Sequence, residues 1–384
     1  MEKVKLKEIC TLLNGRAYKQ NELLDDGKYP VLRVGNFFSD KDFYYSDLEL
    51  DDDKYCDTGD LLFAWSASFG PKIWDGGKVI YHYHIWKMVL TDRVKRDYLY
   101  YYLIYLSERI KNEGHGGIMI HTTKTEMEER EFNLPSLEEQ DEIASLLAKV
   151  QNIIRLRKEE LNQLDNIIKA RFVEMFGDPV ENPKGYRVDT LQALIDAGDI
   201  TYHLDGNHGG DYPRSEEFVS EGVPYIGANC ISNGEIDFSL AKYLTEERAG
   251  KLKKGIAQNE DVLFAHNATV GPTVVLHTTE SKVILSTSLT AYRCNKASIM
   301  PEYLATYMKS DGFIMQYSSE MKQTTRNQVP ITAQKKYLFL IPPMVEQKAF
   351  AEFVKQVDKS KVVVQKALDE AQLLFDSLMQ EYFG

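Results

Sequence analysis

The sequence predicts an α+β chain in which two mixed α/β domains, related by pseudo-twofold symmetry, are separated by two long antiparallel coiled-coil helices. Three observations carry this expectation. The stretch from Leu134 to Gly177 returns as Ile341 to Gly384 at a constant offset of 207, Pro135 falling on Pro342 and Glu139-Gln140 on Glu346-Gln347. Each copy carries apolar residues at alternating steps of four and three. The segments preceding the two copies share short motifs in the same order. A period this long marks a duplicated half-protein, not a solenoid of small units.

The organisation that follows is four segments: a domain over 1–134, a helix over 135–177, a second domain over 178–341 and a C-terminal helix over 342–384. In the first domain, turn signals at Asn14-Gly15, Asp26-Gly27, Gly35-Asn36 and Gly76-Gly77 separate strand-like runs at Tyr29–Val34, Leu61–Trp65 and Lys78–Leu90. A helix rich in Tyr and Leu is expected over Arg96–Lys111. The first long helix has Ile143, Leu147, Val150, Ile154, Leu161, Leu164, Ile168 and Met175 on one heptad seam, with Arg157 and Arg171 as exceptions. Ser136 and Glu139 form a capping box at its start, and Gly177 with Pro179 ends it. The second domain repeats the plan: Asp60–Pro71, DLLFAWSASFGP, answers Asp261–Pro272, DVLFAHNATVGP, and Lys78-Val79-Ile80 answers Lys282-Val283-Ile284. The second seam runs Phe350, Val354, Val357, Val364, Leu368, Ala371, Phe375, Leu378 and Tyr382, broken by Lys361. If the intervening domain has its ends close together, the helices must run antiparallel. At 1.5 Å per residue, about 39 residues make a spacer of roughly 58 Å.

Composition narrows the function classes. The 384 residues leave ample length for two or three domains, and no run approaches the ~18 apolar residues of a membrane span. The opening MEKVKLKEIC does not read as a signal peptide, and the four scattered cysteines lack any CxxC pair. A cytoplasmic protein with reduced thiols and no membrane association is expected. The net charge of −12 opposes strong solitary DNA binding, because phosphate contacts need Lys and Arg. It leaves room for a local DNA-reading face.

A self-contained active site is not visible. Neither GxxxxGK[ST] nor GxGxxG occurs, so neither ATP nor a dinucleotide has a cradle. Asn182-Pro183-Lys184-Gly185 lacks the second proline and the aromatic of an amino-methyltransferase signature. His82 and His84, two apart on an expected strand, would share a face as a metal pair needs, but no third ligand is near and their counterparts are Ser286 and Ser288. His203 and His208 with Asp205 and Asp211 form a second, weak metal candidate. No catalytic, cofactor or metal residue is assigned.

What remains is recognition chemistry. The repeated DLLFA/DVLFA…GP motif keeps its flanks and changes its centre: Trp65, Ser66 and Ser68 in one copy, His266, Asn267 and Thr269 in the other. A strand running into a loop fixed by Gly-Pro would present such side chains, and these are types that stack on or hydrogen-bond to bases. A second loop precedes each long helix, contributing His121 and Lys124 in one half and Lys322, Thr324, Arg326, Asn327 and Gln328 in the other. Arg16, Tyr18 and Lys19 after Asn14-Gly15 form a third candidate group.

On LPSLEEQ and IPPMVEQ opening the long helices, FGDPVENPKGY after the first, and the paired DLLFA/DVLFA…GP loops, the chain resembles the specificity subunits of type I restriction-modification systems over essentially its whole length. The resemblance implies two target recognition domains, each reading half of a bipartite site in double-stranded DNA, with the helix pair as spacer. It also implies two methyltransferase subunits that bind S-adenosylmethionine and methylate adenine N6, and a translocase/nuclease subunit using ATP and Mg; the chain itself would hold no cofactor and be non-catalytic alone. A spacer of roughly 58 Å compares with about one and a half turns of B-DNA at ~34 Å per turn. Two other readings compete: a self-contained DNA methyltransferase or nuclease, and a coiled-coil adaptor with two protein-binding heads. Methyl transfer by the purified chain would favour the first, and absence of sequence-dependent DNA protection the second.

Overall fold

The computed structural model describes residues 2–39, 41–66, 69–113, 121–232, 234–321 and 327–384. The chain divides into two compact units, Met1–Glu159 with Gln365–Gly384, and Glu160–Val364. Two helices of 40 residues, Leu137–Phe176 and Met344–Phe383, are each uninterrupted and each contribute to both units.

The first unit holds two four-stranded sheets. One orders Cys10–Asn14, Ile85–Leu90, Leu61–Ala64 and Gly70–Ile73, all antiparallel. The other orders Tyr44–Ser46, Tyr29–Leu32, Val79–Tyr81 and Tyr55–Cys56, with the central pair parallel. The second unit repeats the first sheet with Ile200–Asp205, Leu289–Cys294, Val262–Asn267 and Thr269–Val275. Its second sheet again has a parallel central pair, Val223–Ile226 with Val283–Leu285. In each unit a two-stranded ribbon, Glu2–Lys5 with Glu131–Leu134 or Arg187–Thr190 with Leu338–Ile341, leads into the long helix.

One expected element is corrected. Lys78–Leu90 reads as a single strand, but the chain turns at His82–His84, so Val79–Tyr81 and Ile85–Leu90 belong to different sheets. Ser286–Ser288 makes the same corner between Val283–Leu285 and Leu289–Cys294. Neither corner contains Gly or Pro; tertiary strand pairing imposes it. The Tyr- and Leu-rich helix spans Arg96–Glu113, while its counterpart is split into Pro301–Tyr307 and Asp311–Met321.

The heptad seam is inward at every position named above, each buried or half-buried. The pairing in the second unit is antiparallel: Phe172 and Phe176 pack on Phe350, while Asp165, earlier on the first helix, receives Lys361 at 2.6 Å, later on the second. Lys361, the break in the seam, is thus neutralised by Asp165 and by Asp358 at 3.4 Å. At the first helix start, Ser136 N–H and Oγ–H donate to Glu139 at 2.9 and 2.8 Å, and Glu139 N–H returns to Ser136 Oγ at 3.3 Å, which is the capping box. At its end Gly177 has φ +78°, a conformation that disfavours a Cβ, and a Cβ there would meet the Pro183 ring at 2.4 Å.

The repeated glutamine has a structural cause. Gln140 is fully buried; its Oε1 accepts from Lys95 N–H at 2.7 Å, and its Nε2 donates to the carbonyls of Arg93 and Pro135. Gln347 does the same with Met300 N–H at 2.9 Å and the carbonyls of Ser298 and Pro342. Each side chain stitches a long helix to the loop that opens its own unit's helical layer.

Candidate nucleic-acid interface

The shared motif separates into frame and edge. Asp60 and Asp261, which open it, are frame residues: Asp60 binds Lys87 at 2.7 Å, and Asp261 makes a two-point bond with Arg293 at 2.8 and 2.8 Å. Each also accepts a turn N–H, from Asp57 or Gln258, at 2.8 Å. Phe63 and Phe264 are fully buried. Gly70 and Gly271 lie at φ +143° and +116°, where only glycine is at ease. These are the positions that match, because the same backbone needs them twice.

The edge is where the copies differ. In the first unit Ser66 bridges His121, and the Trp65 carbonyl accepts Thr122 N–H at 3.4 Å. In the second Asn267 bridges Gln328, the His266 carbonyl accepts Val329 N–H at 2.8 Å, and Ala268 N–H donates to the Asn327 carbonyl at 2.9 Å. The structure therefore joins, in each unit separately, the hairpin tip and the loop before the long helix that the sequence offers as independent candidates. Ala268 sits at φ +64°, a strained value for a residue with a Cβ, held by its bond to Asn327.

Individual side chains sort further. Asn267 and Gln328 are half-exposed, and Thr269, Asn327 and His121 are exposed. Lys124, also exposed, opens the short helix Lys124–Glu128 behind Thr123, whose hydroxyl caps it by accepting from Glu126 N–H. Lys19, of the third candidate group, is exposed. Ser66 is buried and joins the edge through its backbone. Ser68, Lys322, Thr324 and Arg326 lie outside the described residues.

Four residues stand differently from what their type implies. His266 is expected to point outward, yet it is 1% exposed: its Nδ1 bonds the Val329 carbonyl at 3.0 Å, and Nε2 is buried without a partner. The strand runs on to Asn267, which carries His266 into the interior and leaves the tip to its neighbours. Burial lowers its pKa, so the ring is neutral where it sits. Arg16 is committed to Glu22 through two bonds at 3.0 and 2.7 Å, and Tyr18 is half-buried beneath it. Trp65 is half-buried, its Nε1–H donating to the Tyr83 carbonyl at 2.9 Å and its ring stacked on Trp86 at 5.8 Å. His266 and Trp65 are tied into the segments that carry the edges, while Arg16 and Tyr18 are engaged with their own neighbours.

The metal candidate around His203 and His208 resolves into hydrogen bonding. His203 Nε2 pairs with Gln334 Oε1 at 3.0 Å and His208 Nε2 with Asp205 at 2.7 Å. Among the described residues no three His, Cys, Asp or Glu side chains come together as a metal ion needs. Among them, too, no helix is long and apolar enough to cross a membrane. Sequence reasoning missed the buried Gln334, which also receives Tyr292 Oη–H at 2.6 Å; no local pattern distinguishes it from a surface amide.

A duplicated α/β unit whose frame residues repeat and whose edge residues do not is the layout of a two-headed recognition scaffold. The family model for the type I restriction modification DNA specificity domain matches residues 1–166 and 198–371, and the chain belongs to that family. It is similar to the type I restriction enzyme MjaVIII specificity subunit of Methanocaldococcus jannaschii, at 22% identity over 322 residues, 80% of this chain and 76% of that one. It is also similar to the type I restriction enzyme EcoBI specificity subunit of Escherichia coli, at 19% identity, covering 98% and 83% of the two chains. In fold it resembles the crystal structure of the type I restriction-modification S subunit from M. genitalium, with a TM-score of 0.58, 16% identity, and coverage of 100% and 96%.

Proposed function

We propose that this chain is the DNA sequence-specificity subunit of a type I restriction-modification complex, each unit reading one half of a bipartite site. The observation that carries the reading is the paired edge. The same backbone joins Ser66 to His121 and Asn267 to Gln328, while the side chains at those places differ between the copies. Asn and Gln at the second edge are amides able to pair bidentately with adenine, and Thr269 can bond a base edge or touch a thymine methyl. The edges are small and the chain carries a net charge of −12, so companion subunits supply part of the clamp on the phosphate backbone. Those companions are two methyltransferase subunits, which bind S-adenosylmethionine and transfer its methyl group to adenine N6 after flipping the base. A translocase/nuclease subunit supplies ATP- and Mg-dependent cleavage, and this chain is non-catalytic by itself.

The test is a base-resolved methylation map of a host carrying the companion genes, with and without this chain. One bipartite adenine-methylated motif is expected to vanish on deletion. Replacing Asn267, Thr269, Asn327 and Gln328 by Ala should then relax one half of that motif and leave the other intact. A map unchanged by deletion, or both halves altered together by the replacement, would refute the reading.

A further inference from the structure

The corner His82-Tyr83-His84 is absorbed neither by the frame nor by the edge described above, and its geometry is unusual. Its backbone is nearly all committed. His82 N–H donates to the Leu32 carbonyl at 2.9 Å, Tyr83 N–H to Arg16 at 3.1 Å, and Ile85 N–H to His82 at 3.0 Å. The Tyr83 carbonyl accepts Trp65 Nε1–H at 2.9 Å and the His84 carbonyl accepts Trp65 N–H at 3.1 Å. Gly15 closes in beneath: a Cβ there would lie 2.2 Å from the Tyr81 carbonyl oxygen. Three consecutive side chains are thus held by a fixed backbone immediately beside the Ser66–His121 edge.

Those side chains make a continuous ring surface. Tyr83 and His84 stand 3.9 Å apart between ring centroids, His82 and Tyr83 4.6 Å, and Trp65 meets His84 edge-on at 4.9 Å. Tyr83 is exposed and both imidazoles are half-exposed. Burial lowers the pKa of His82 to about 4 and lowers that of His84, so both rings are neutral at physiological pH. A neutral imidazole has one donor and one acceptor with no charge to attract a phosphate, which suits a base edge better than the backbone. In His82 the Nδ1 acceptor faces His84 N–H at 3.5 Å, which leaves Nε2–H as its donor.

The second unit shows the opposite use of the same corner. Ser286 and Ser288 bond one another at 2.7 Å, and Ser288 Oγ accepts Ala228 N–H at 2.8 Å. Their hydroxyls are spent on holding the turn, and no ring projects from it.

We propose that the His82-Tyr83-His84 corner reads bases in the half-site of the first unit, and that the second unit reads its half-site without this corner. The inference rests on the specificity reading given above. The test installs the second unit's residues in the full chain, His82→Ser with Tyr83→Thr and His84→Ser, co-produced with the companion subunits, and maps methylation. Discrimination at one or more positions of a single half-site should fall roughly tenfold or more per lost contact, with the other half-site unchanged. Tyr83→Ala, which removes an exposed side chain and leaves the buried core untouched, should relax the same positions and guards against misfolding of the triple variant. An unchanged motif in both variants overturns the proposal while the specificity reading stands. So does a uniform loss of affinity across all sequences with a shallower salt dependence, the mark of a phosphate contact. If the wild-type chain itself directs no motif, the specificity reading falls and this inference with it.

Discussion

Replacing Gln347 by Leu tests whether the buried amide really joins the second long helix to its own domain. Leu has nearly the volume of Gln, so packing changes little, but three hydrogen bonds disappear. The loss is graded by location. The bond to the Pro342 carbonyl at 2.8 Å is enclosed, and leaving that group unpaired costs about 1–3 kcal/mol. The bonds to Met300 N–H at 2.9 Å and the Ser298 carbonyl at 3.1 Å are partly reachable by water, each contributing about 0.5–1 kcal/mol. The expected destabilisation is about 2–5 kcal/mol, a large fraction of the ~5–15 kcal/mol that holds a domain together. Gln140→Leu should cost as much, in the first unit, while Gln372→Leu on an exposed helix face should cost under ~0.5 kcal/mol. Because a chain of two units need not unfold in one step, the assay is hydrogen exchange under mild urea, which reads each unit separately. A cost below about 1 kcal/mol for Gln347→Leu, or equal loss of protection in both units, would refute the anchoring argument.

Three further outcomes follow from the same geometry. Gly15→Ala and Gly206→Ala each drive a Cβ to within 2.2 or 2.3 Å of neighbouring backbone and should cost about 3 kcal/mol or more in thermal unfolding, whereas Gly250→Ala, in a helix with open space, should stabilise by about 0.5–1 kcal/mol. Asp261→Ala should cost about 2–3 kcal/mol, because Asp261 is 1% exposed and its loss removes a two-point charged bond, while Arg293 keeps the Ile256 carbonyl and some access to water; Asp60→Ala should cost about 1 kcal/mol or less, since Asp60 and Lys87 are both partly in water, and a reversed order in denaturant melts would contradict the burial argument. Burial lowers the pKa of His203 to about 4 against ~6.5 in the unfolded chain, so the unfolded state binds its proton first. Its contribution is therefore complete above pH ~6.5 and is lost as pH falls toward about 4, roughly 3 kcal/mol in all; His203→Leu should flatten that part of the stability profile, and an unaltered slope would refute the assignment.

Much of the frame was legible because it depends on periods and caps that are local. The four-and-three spacing marks the inward face of both long helices, and Ser136 with Glu139 marks the first start before any tertiary contact is known. The corners at His82–His84 and Ser286–Ser288 were not legible. Each lies inside a β-prone run with no Gly or Pro to mark a turn, and the two halves pair with different sheets. The candidate edge was half legible. Comparing the copies shows where flanks match and centres differ, but not which side chain faces out: His266 belongs to an extended strand and turns in, while Arg16 is taken by a glutamate six residues away. Whether a polar side chain is free or spent depends on a partner that sequence spacing does not reveal.

Divergence between the units also reaches below the edge, and this bears on how specificity can change. In the first unit Leu12 pairs across the sheet with Met88, and Met127 is buried in the short helix Lys124–Glu128. At the same places the second unit has His203 opposite Tyr292, with Gln334 buried and bonded to both, to Thr290 and to the Val329 carbonyl. One layer is apolar, the other a buried polar network centred on Gln334, yet the strand order above them is the same. Val329 is also the residue whose carbonyl fixes His266 and whose N–H meets the His266 carbonyl, so the polar layer bears directly on the tip at Asn267. Gln334 is the hub of this buried network, and removing it would leave His203 and Tyr292 without that partner. Transplanting the tip residues of one unit into the other should therefore need the supporting layer to move with them. The aspartates, glycines and glutamines of the frame can stay, because they hold a backbone that both layers share.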